Sequence, residues 1–432
     1  MLKKYLSELV CGKKVLIMGF GREGRSTYRL LNQVGGYAEL AVSDMNSVSD
    51  IDEKVYSGAD YQSAVYEYDI VFKSPGVVLD DFSVKEKIIS QTDCIMNCYR
   101  DKMIGITGTK GKSTTTTLIY HILKCCGKNP VLMGNIGIPA FDAAEELEAD
   151  NIIVYELSCH QLEFAVSSPA TGVLLNIYPE HLDHYGTFEK YSAAKKNIYM
   201  NMKKGDFLVC ASECVPEKSE ADIFSVSMED KNADCFVDDA SYFADEKIDF
   251  SGYTKSLFGK HNMYNISVAY AVCRHVGALP GDIFSAIESF TGLSHRLELF
   301  AEIDGVRYFD DSISTIPETA VRALSSIQNV GSVILGGMDR GVDLDFLVKY
   351  LVENPVPNII LMPDTGLKLY EALDGKTSSS LYMTSGLSEA VAVAKKVTKP
   401  GEACLLSPAA ASYGFFKNFE ERGEEFKRLV NK

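Results

Sequence analysis

Met103-Ile-Gly-Ile-Thr-Gly-Thr-Lys-Gly-Lys-Ser-Thr114 is the stretch from which the rest of the chain can be read. A β-branched run leads into glycines, and a helical pattern follows from Thr115 to about Lys124. Strand, glycine loop and helix in that order make a phosphate cradle. Glycines let backbone N–H groups curl around an anion, and the helix N-terminus adds partial positive charge. A standard Walker A loop carries glycine five residues before Gly111, where this chain has Ile106, so the loop starts at Gly108. Gly108, Thr109, Lys110, Gly111, Lys112, Ser113 and Thr114 are the expected ATP contacts. Lys112 is expected on the β/γ-phosphates and Ser113 on Mg2+.

Working back toward the N-terminus, Lys14-Val-Leu-Ile-Met-Gly19-Phe-Gly21-Arg22-Glu-Gly24 is a strand and a G-x-G-x-x-G turn. A helix and a strand ending at Asp44 follow, completing a β-α-β nucleotide-binding pattern. Asp69-Ile-Val-Phe-Lys ends at Ser74-Pro75-Gly76, a turn at a strand's carboxyl end. A dehydrogenase would be the reading of this turn alone. A second phosphate loop follows it instead of a dehydrogenase site.

Beyond the phosphate loop, buried strands and helices alternate to about Phe290. Ile152–Glu156 and Thr171–Ile177 read as parallel strands, and Thr187 to Met202 as a helix with Thr187 at its N-cap. Asp222 to about Tyr253 reads as a small antiparallel insert. After Gly292 the alternation restarts. Strands are expected at Ser332–Gly337, Asn358–Met362 and Glu402–Ser407, with helices near Ala320, Val348, Ala390 and Phe426. The fold class is α/β in three domains. These are an N-terminal Rossmann-like nucleotide-binding domain (1–98), a central P-loop-type parallel sheet that binds ATP (99–292) and a C-terminal Rossmann-like domain (293–432).

Chemistry-bearing residues gather at strand ends. Glu156 closes one strand and is placed to hold a metal; His181, Asp183 and His184 follow the next. Lys195 and Lys196 lie on the following helix. A lysine shielded from water beside a metal could react as the neutral amine with CO2, and its carbamate could join the metal's ligands. Asn262 and Asn265 share a helix face and could read an adenine or ribose edge. Arg296 lies at a domain junction, where an arginine can meet a transferring phosphate. Asp311, Gly337 to Arg340, and Ser407 to Phe419 close further strands.

Composition narrows the classes. A chain of 432 residues exceeds one ordinary core, and 46% hydrophobic with 24% charged content is that of a globular protein. The net charge of −16 argues against nucleic-acid binding. No apolar run reaches bilayer length and no signal-like segment opens the chain, so a cytoplasmic location, no membrane insertion and a monomer are expected. The 11 cysteines never form CxxC or a zinc quartet and read as free thiols, many of them buried.

Taken in order, these motifs resemble the Mur ligase family of ATP-dependent amide-bond-forming enzymes. The resemblance runs through Gly108–Thr114, Glu156-Leu-Ser, Glu180-His-Leu-Asp183, His261-Asn-Met-Tyr-Asn265, His295-Arg-Leu-Glu298 and Asp311-Ser312. Gly19–Gly24, Lys73–Gly76, Gly134-Asn135-Ile-Gly137 and Ser407–Glu421 are most similar to its glutamate-adding member. The resemblance implies ATP and Mg2+ as cofactors, two ions in the family pattern, with UDP-N-acetylmuramoyl-L-alanine and glutamate as substrates. It implies Ser113, Glu156, His181 and a carbamylated Lys195 at the metals, with Lys112, Lys195, His181 and Arg296 catalytic. Asn262, Asn265, Arg296 and Asp311 would meet ATP. Gly19, Phe20, Gly21, Arg22, Asp44, Ser74, Asn135 and His181 would meet the UDP substrate. Thr315, Arg340, Ser412 and Phe419 would meet the amino acid. The family pattern Asn-Asp-Ser-Lys-Ala-Thr-Asn is here Asp310-Asp-Ser-Ile313-Ser-Thr-Ile316. D-glutamate is the first reading of the acceptor, but the loss of a lysine and an amide keeps L-glutamate open as the alternative, beside a Mur-type ligase for another amino acid.

Overall fold

Val15, Leu16, Ile17 and Met18 are all fully buried, and successive side chains enter different cores. Val15 and Ile17 pack in a cluster with Leu31 and Phe72, whereas Leu16 and Met18 pack with Tyr61 and Tyr68. A strand alternates faces, so an uninterrupted apolar run must be covered on both sides. The same division recurs at Ile334, whose neighbours Val333 and Leu335 face the opposite cluster.

The structure is a computed structural model that describes every residue except 135–138, 145–146, 245, 255–256, 258, 293 and 340. The described residues form three sheets of five, nine and six strands. The first is parallel throughout, in the order Lys54–Ser57, Glu39–Asp44, Lys14–Met18, Ile70–Lys73, Ile88–Ile89. The second is centred on Met103–Thr107, flanked by Asn151–Glu156 and Thr171–Leu174, both parallel to it. In the third, Val306–Asp310, Ala403–Leu406, Val330–Gly337, Asn358–Asp364 and Ser380–Met383 run parallel, and Glu298–Ile303 pairs antiparallel at the edge. Mixed α/β architecture with mainly parallel sheets is therefore present.

Two compact units divide the chain, Met1–Phe290 and Thr291–Lys432. The first two sheets share a unit because one apolar cluster joins Val15 and Ile17 to Met133, Tyr155 and Leu174. Burial of each such side chain contributes about 1.5–3 kcal/mol.

Several elements depart from the sequence reading. The helix after the phosphate loop is Lys112–Cys125, so Lys112 and Ser113 lie in its first turn. Thr187 is the N-cap, its side chain accepting from Lys190 N, but that helix stops at Lys196 and turns carry the chain onward. The 222–253 segment is not a separate antiparallel insert. Asp222–Ser227 runs parallel to Phe207–Ala211 and Cys235–Val237 parallel to it, and only the last two pairings are antiparallel. The segment extends the central sheet. Helix Thr365–Leu373 and strand Ser380–Met383 were not expected from the sequence. All 11 cysteines are free, with Cys11 and Cys125 exposed. Among the described residues, no helix is long and apolar enough to cross a membrane.

Candidate active site

Gly108 and Gly111 have φ of 155° and 85°, which L side chains rarely adopt. A β-carbon at Gly111 would also stand 2.6 Å from Asn265 Oδ1. The loop is therefore tight against the helix Lys260–His275 that carries Asn265. Asn265 Nδ2 donates to Asn262 Oδ1 at 3.3 Å, so the two asparagines do share a face. Asn176, just beyond the end of strand Thr171–Leu174, clamps the loop: Lys110 N donates to its Oδ1 (2.8 Å) and its Nδ2 donates to Lys110 O (3.0 Å). Thr109 is buried, its hydroxyl 2.9 Å from that of Tyr191. Lys110 is exposed and pairs with Glu180.

Two lysines converge on one carbonyl. Lys112 Nζ donates to Gly108 O at 2.9 Å and to Thr109 O at 3.1 Å; Lys195 Nζ donates to the same Gly108 O at 2.8 Å. Lys195 is 1% exposed. Burial, reinforced by the Lys112 charge, lowers its pKa to about 8. Burial also depresses Lys112, with Glu156 and Glu180 partly opposing the shift. Two desolvated cations facing one carbonyl suit an anion better than they suit each other.

Around them stand the strand ends. Glu156, fully buried, ends its strand opposite Ile106. Ser158 and Gln161 form a capping box just beyond it. His181 is exposed, with a left-handed φ of 55°. His160 sets its ring edge-on to His181 and His184, with centroids 4.9 and 4.5 Å away. Burial and those two histidines bring its pKa down to about 4. A cavity of about 360 Å³ joins Lys112, Lys195, Glu180, His160 and His181 to Pro75 and Gly76, in the turn that follows strand Ile70–Lys73 of the first sheet.

The N-terminal turn is held from within. Phe20 N donates to Asp44 Oδ2 (2.6 Å), and Ser74 Oγ donates to Gly19 O (2.7 Å). Gly19, Phe20, Asp44 and Ser74 thus come together, while Gly21 and Arg22 are exposed beside them. Gly24 is obligatory, since a β-carbon would lie 2.1 Å from Gly19 O.

In the C-terminal unit, Asp311 is buried and accepts from Ser407 Oγ (2.7 Å) and Leu297 N (3.2 Å). Burial nevertheless raises its pKa to about 6. Arg296 is exposed and Thr315 half-buried. Ser412 lines a cavity of about 220 Å³ with Gly337, Met362, Phe415 and Arg422. Ser312 Oγ donates to Phe419 O (2.8 Å), which brings Phe419 to the same loop. Asn135 and Arg340 lie outside the described residues. Among the described residues, His295, Glu298 and Asp310 form the one group with metal-like spacing. Lys427 Nζ already sits 2.8 Å from Glu298, so this is an ion-pair cluster.

The central part of this arrangement has a counterpart among protein families. Residues 106–273 match the Mur ligase middle domain. Over 444 residues the chain is 34% identical to the UDP-N-acetylmuramoylalanine–D-glutamate ligase of Pelotomaculum thermopropionicum, covering 97% of each. The chain belongs to the Mur ligase family. It is accordingly an ATP-dependent, ADP-forming ligase. The ligase of the same name from Geobacillus kaustophilus is 33% identical, with 97% of this chain and 98% of that one covered. Two solved Thermotoga maritima structures share the fold. The UDP-N-acetylmuramate–alanine ligase has a TM-score of 0.58 at 19% identity, covering 97% of this chain and 99% of that one. The MurF ligase in complex with ADP has a TM-score of 0.54 at 16% identity, covering 98% and 95%.

Some residues of this Mur ligase were given no role by the sequence. Arg422, 1% exposed, donates from Nε to Ser312 Oγ (3.0 Å) and from Nη2 to Ser312 O (2.8 Å). Lys73 is buried 3.9 Å from Glu163, and Glu163 lies 3.2 Å from His184 Nε2. Gln161 Nε2 donates to Glu23 Oε1 (3.0 Å), tying the glycine turn to the central sheet. A lysine closing the apolar run Ile70–Phe72 while still buried in the strand was the available signal for Lys73.

Proposed function

We propose that the chain joins D-glutamate to UDP-N-acetylmuramoyl-L-alanine, converting ATP to ADP and phosphate, in peptidoglycan precursor synthesis. The observation that carries this reading is the convergence of Lys112 and Lys195 on Gly108 O, at a cavity that continues to Pro75 and Gly76. That cavity joins an ATP-phosphate cradle to the turn that would hold the UDP substrate. Gly19, Phe20, Gly21, Arg22, Asp44 and Ser74 are assigned to that substrate, with Asn135 and His181 toward its muramoyl end. The functional division is assigned as 1–98, 99–292 and 293–432.

The alanyl carboxylate attacks the ATP γ-phosphorus, and the γ–β bridging oxygen leaves with ADP. The glutamate amine then attacks the acyl-phosphate carbonyl, phosphate leaves, and the amine loses its proton. No protein nucleophile is needed. The chain positions the reactants and neutralises phosphate charge, with Lys112 and Arg296 as the cationic groups. The donors fit Mg2+: Ser113 is a hydroxyl in the cradle helix, and Glu156 a buried carboxylate. Bound there, Mg2+ supplies positive charge to the phosphates. His181 completes the assigned set. An ammonium cannot ligate a cation, so Lys195 fits only as its carbamate, and its lowered pKa supplies the neutral amine that CO2 requires. Asn262, Asn265 and Asp311 are assigned to ATP. Thr315, Arg340, Ser412 and Phe419 are assigned to glutamate.

Curated relatives named as D-glutamate ligases, matching over 97% of the chain, favour D-glutamate over L-glutamate. Phosphate release from Mg-ATP with UDP-N-acetylmuramoyl-L-alanine, assayed separately with each enantiomer, tests this. Release that requires D-glutamate is expected; dependence on L-glutamate would overturn the acceptor assignment. Ile313 and Ile316 remain the residues that distinguish this loop. If Ile313→Lys leaves the D/L ratio unchanged, the loop is not the determinant of acceptor choice.

A further inference from the structure

Arg296 is exposed between two residues whose backbones are both left-handed, His295 at φ 62° and Leu297 at φ 46°. That conformation crowds a β-carbon against the backbone, and leucine has no polar side chain to offset it locally. The surroundings must therefore hold the turn. His295 N donates to Glu298 Oε2 (2.8 Å), and Ile313 N donates to His295 O (3.1 Å). His295 Nδ1 lies 2.7 Å from Asp310 Oδ2, and Leu297 N donates to Asp311 Oδ1. Lys427 Nζ bridges the two carboxylates, 2.8 Å from Glu298 and 3.8 Å from Asp310. Its helix, Phe419–Val430, presses in so closely that a β-carbon on Gly423 would stand 2.1 Å from His295 Nδ1.

We propose that this clamp, closed by Lys427 and Gly423, is a positioning device that fixes Arg296 in one orientation for phosphoryl transfer. It rests on the assignment of Arg296 to the ATP phosphates. Lys427 would act on the reaction only through Arg296. A turn held strained from four sides presents the guanidinium already aimed, and such preorganisation is what developing phosphate charge rewards.

The test is a double-mutant cycle on the full chain with Lys427→Met, Arg296→Ala and the combination, and with Lys427→Arg as the conservative variant. Lys427→Met is expected to lower kcat by about tenfold or more. KM for the UDP substrate should stay within about twofold, and Lys427→Arg should recover most of the loss. In the Arg296→Ala background, Lys427→Met should lower kcat no further. Losses that multiply independently would mark Lys427 as merely structural and overturn the proposal. So would an unchanged kcat in Lys427→Met beside a strong loss in Arg296→Ala. A fully active Arg296→Ala would instead overturn the assignment of Arg296, and the proposal with it. Gly423→Ala, checked for folding by circular dichroism, should reproduce the Lys427→Met pattern.

Discussion

Lys195→Met should stabilise the apo protein while removing its activity. The side chain is 1% exposed, and burial brings its pKa from 10.5 to about 8. That depression corresponds to about 3 kcal/mol of disfavour for the ammonium in the fold at pH 7. Methionine keeps the volume and removes the charge. It forfeits the hydrogen bond to Gly108 O, about 1 kcal/mol, but Lys112 Nζ still donates to that carbonyl, so no acceptor is orphaned. The net gain is about 2 kcal/mol at pH 7, or a rise of about 4 °C in the transition of the N-terminal unit. The sign follows from linkage. With the folded pKa below the unfolded one, the burden is present below about pH 8 and fades as pH rises from about 8 to 10.5. Calorimetry at pH 7 and pH 9.5, in bicarbonate-free buffer without nucleotide, should show the variant's advantage shrinking by about 2 kcal/mol. A variant less stable than wild type at pH 7, or a gap that ignores pH, refutes the reasoning. Adding bicarbonate should stabilise wild type alone, because a carbamate would place an anion beside Lys112.

Lys112→Ala should reduce kcat by about 10²-fold or more in a phosphate-release assay, as expected for losing one preorganised electrostatic group. Asp311→Asn should alter the pH dependence of urea unfolding. The raised carboxyl of Asp311 makes wild-type stability fall as pH climbs from about 4 to 6, and the variant should lack that fall of about 3 kcal/mol. Gly24→Ala should raise KM for the UDP substrate and destabilise the first sheet by about 1–3 kcal/mol, since the new β-carbon meets Gly19 O at 2.1 Å. Steady-state kinetics with the UDP substrate varied would detect it.

What was legible in the sequence was local. Gly108 to Thr114 declares its cradle because glycine positions and a following helix are set within a dozen residues. Buried strands such as Lys14–Met18 declare themselves because a parallel sheet needs apolar side chains on both faces. Partnership between distant residues was not legible. Nothing in Ala193-Ala-Lys195 says that Nζ ends 2.8 Å from Gly108 O, and composition alone makes it a solvated helix lysine. The left-handed turn around Arg296 is equally silent, because leucine rarely adopts positive φ and a single histidine is too weak a signal to mark it. The 222–253 segment misled because its weak alternation describes an edge ribbon equally well as an insert, and only pairing with Phe207–Ala211 distinguishes them.

Isotope transfer tests the central claim most directly. UDP-N-acetylmuramoyl-L-alanine labelled with 18O in both alanyl carboxylate oxygens would be turned over with Mg-ATP and D-glutamate, and the phosphate released analysed by mass. Activation as an acyl phosphate predicts one 18O in each phosphate formed, with the other retained in the new amide. Unlabelled phosphate accompanying amide formation would contradict the account.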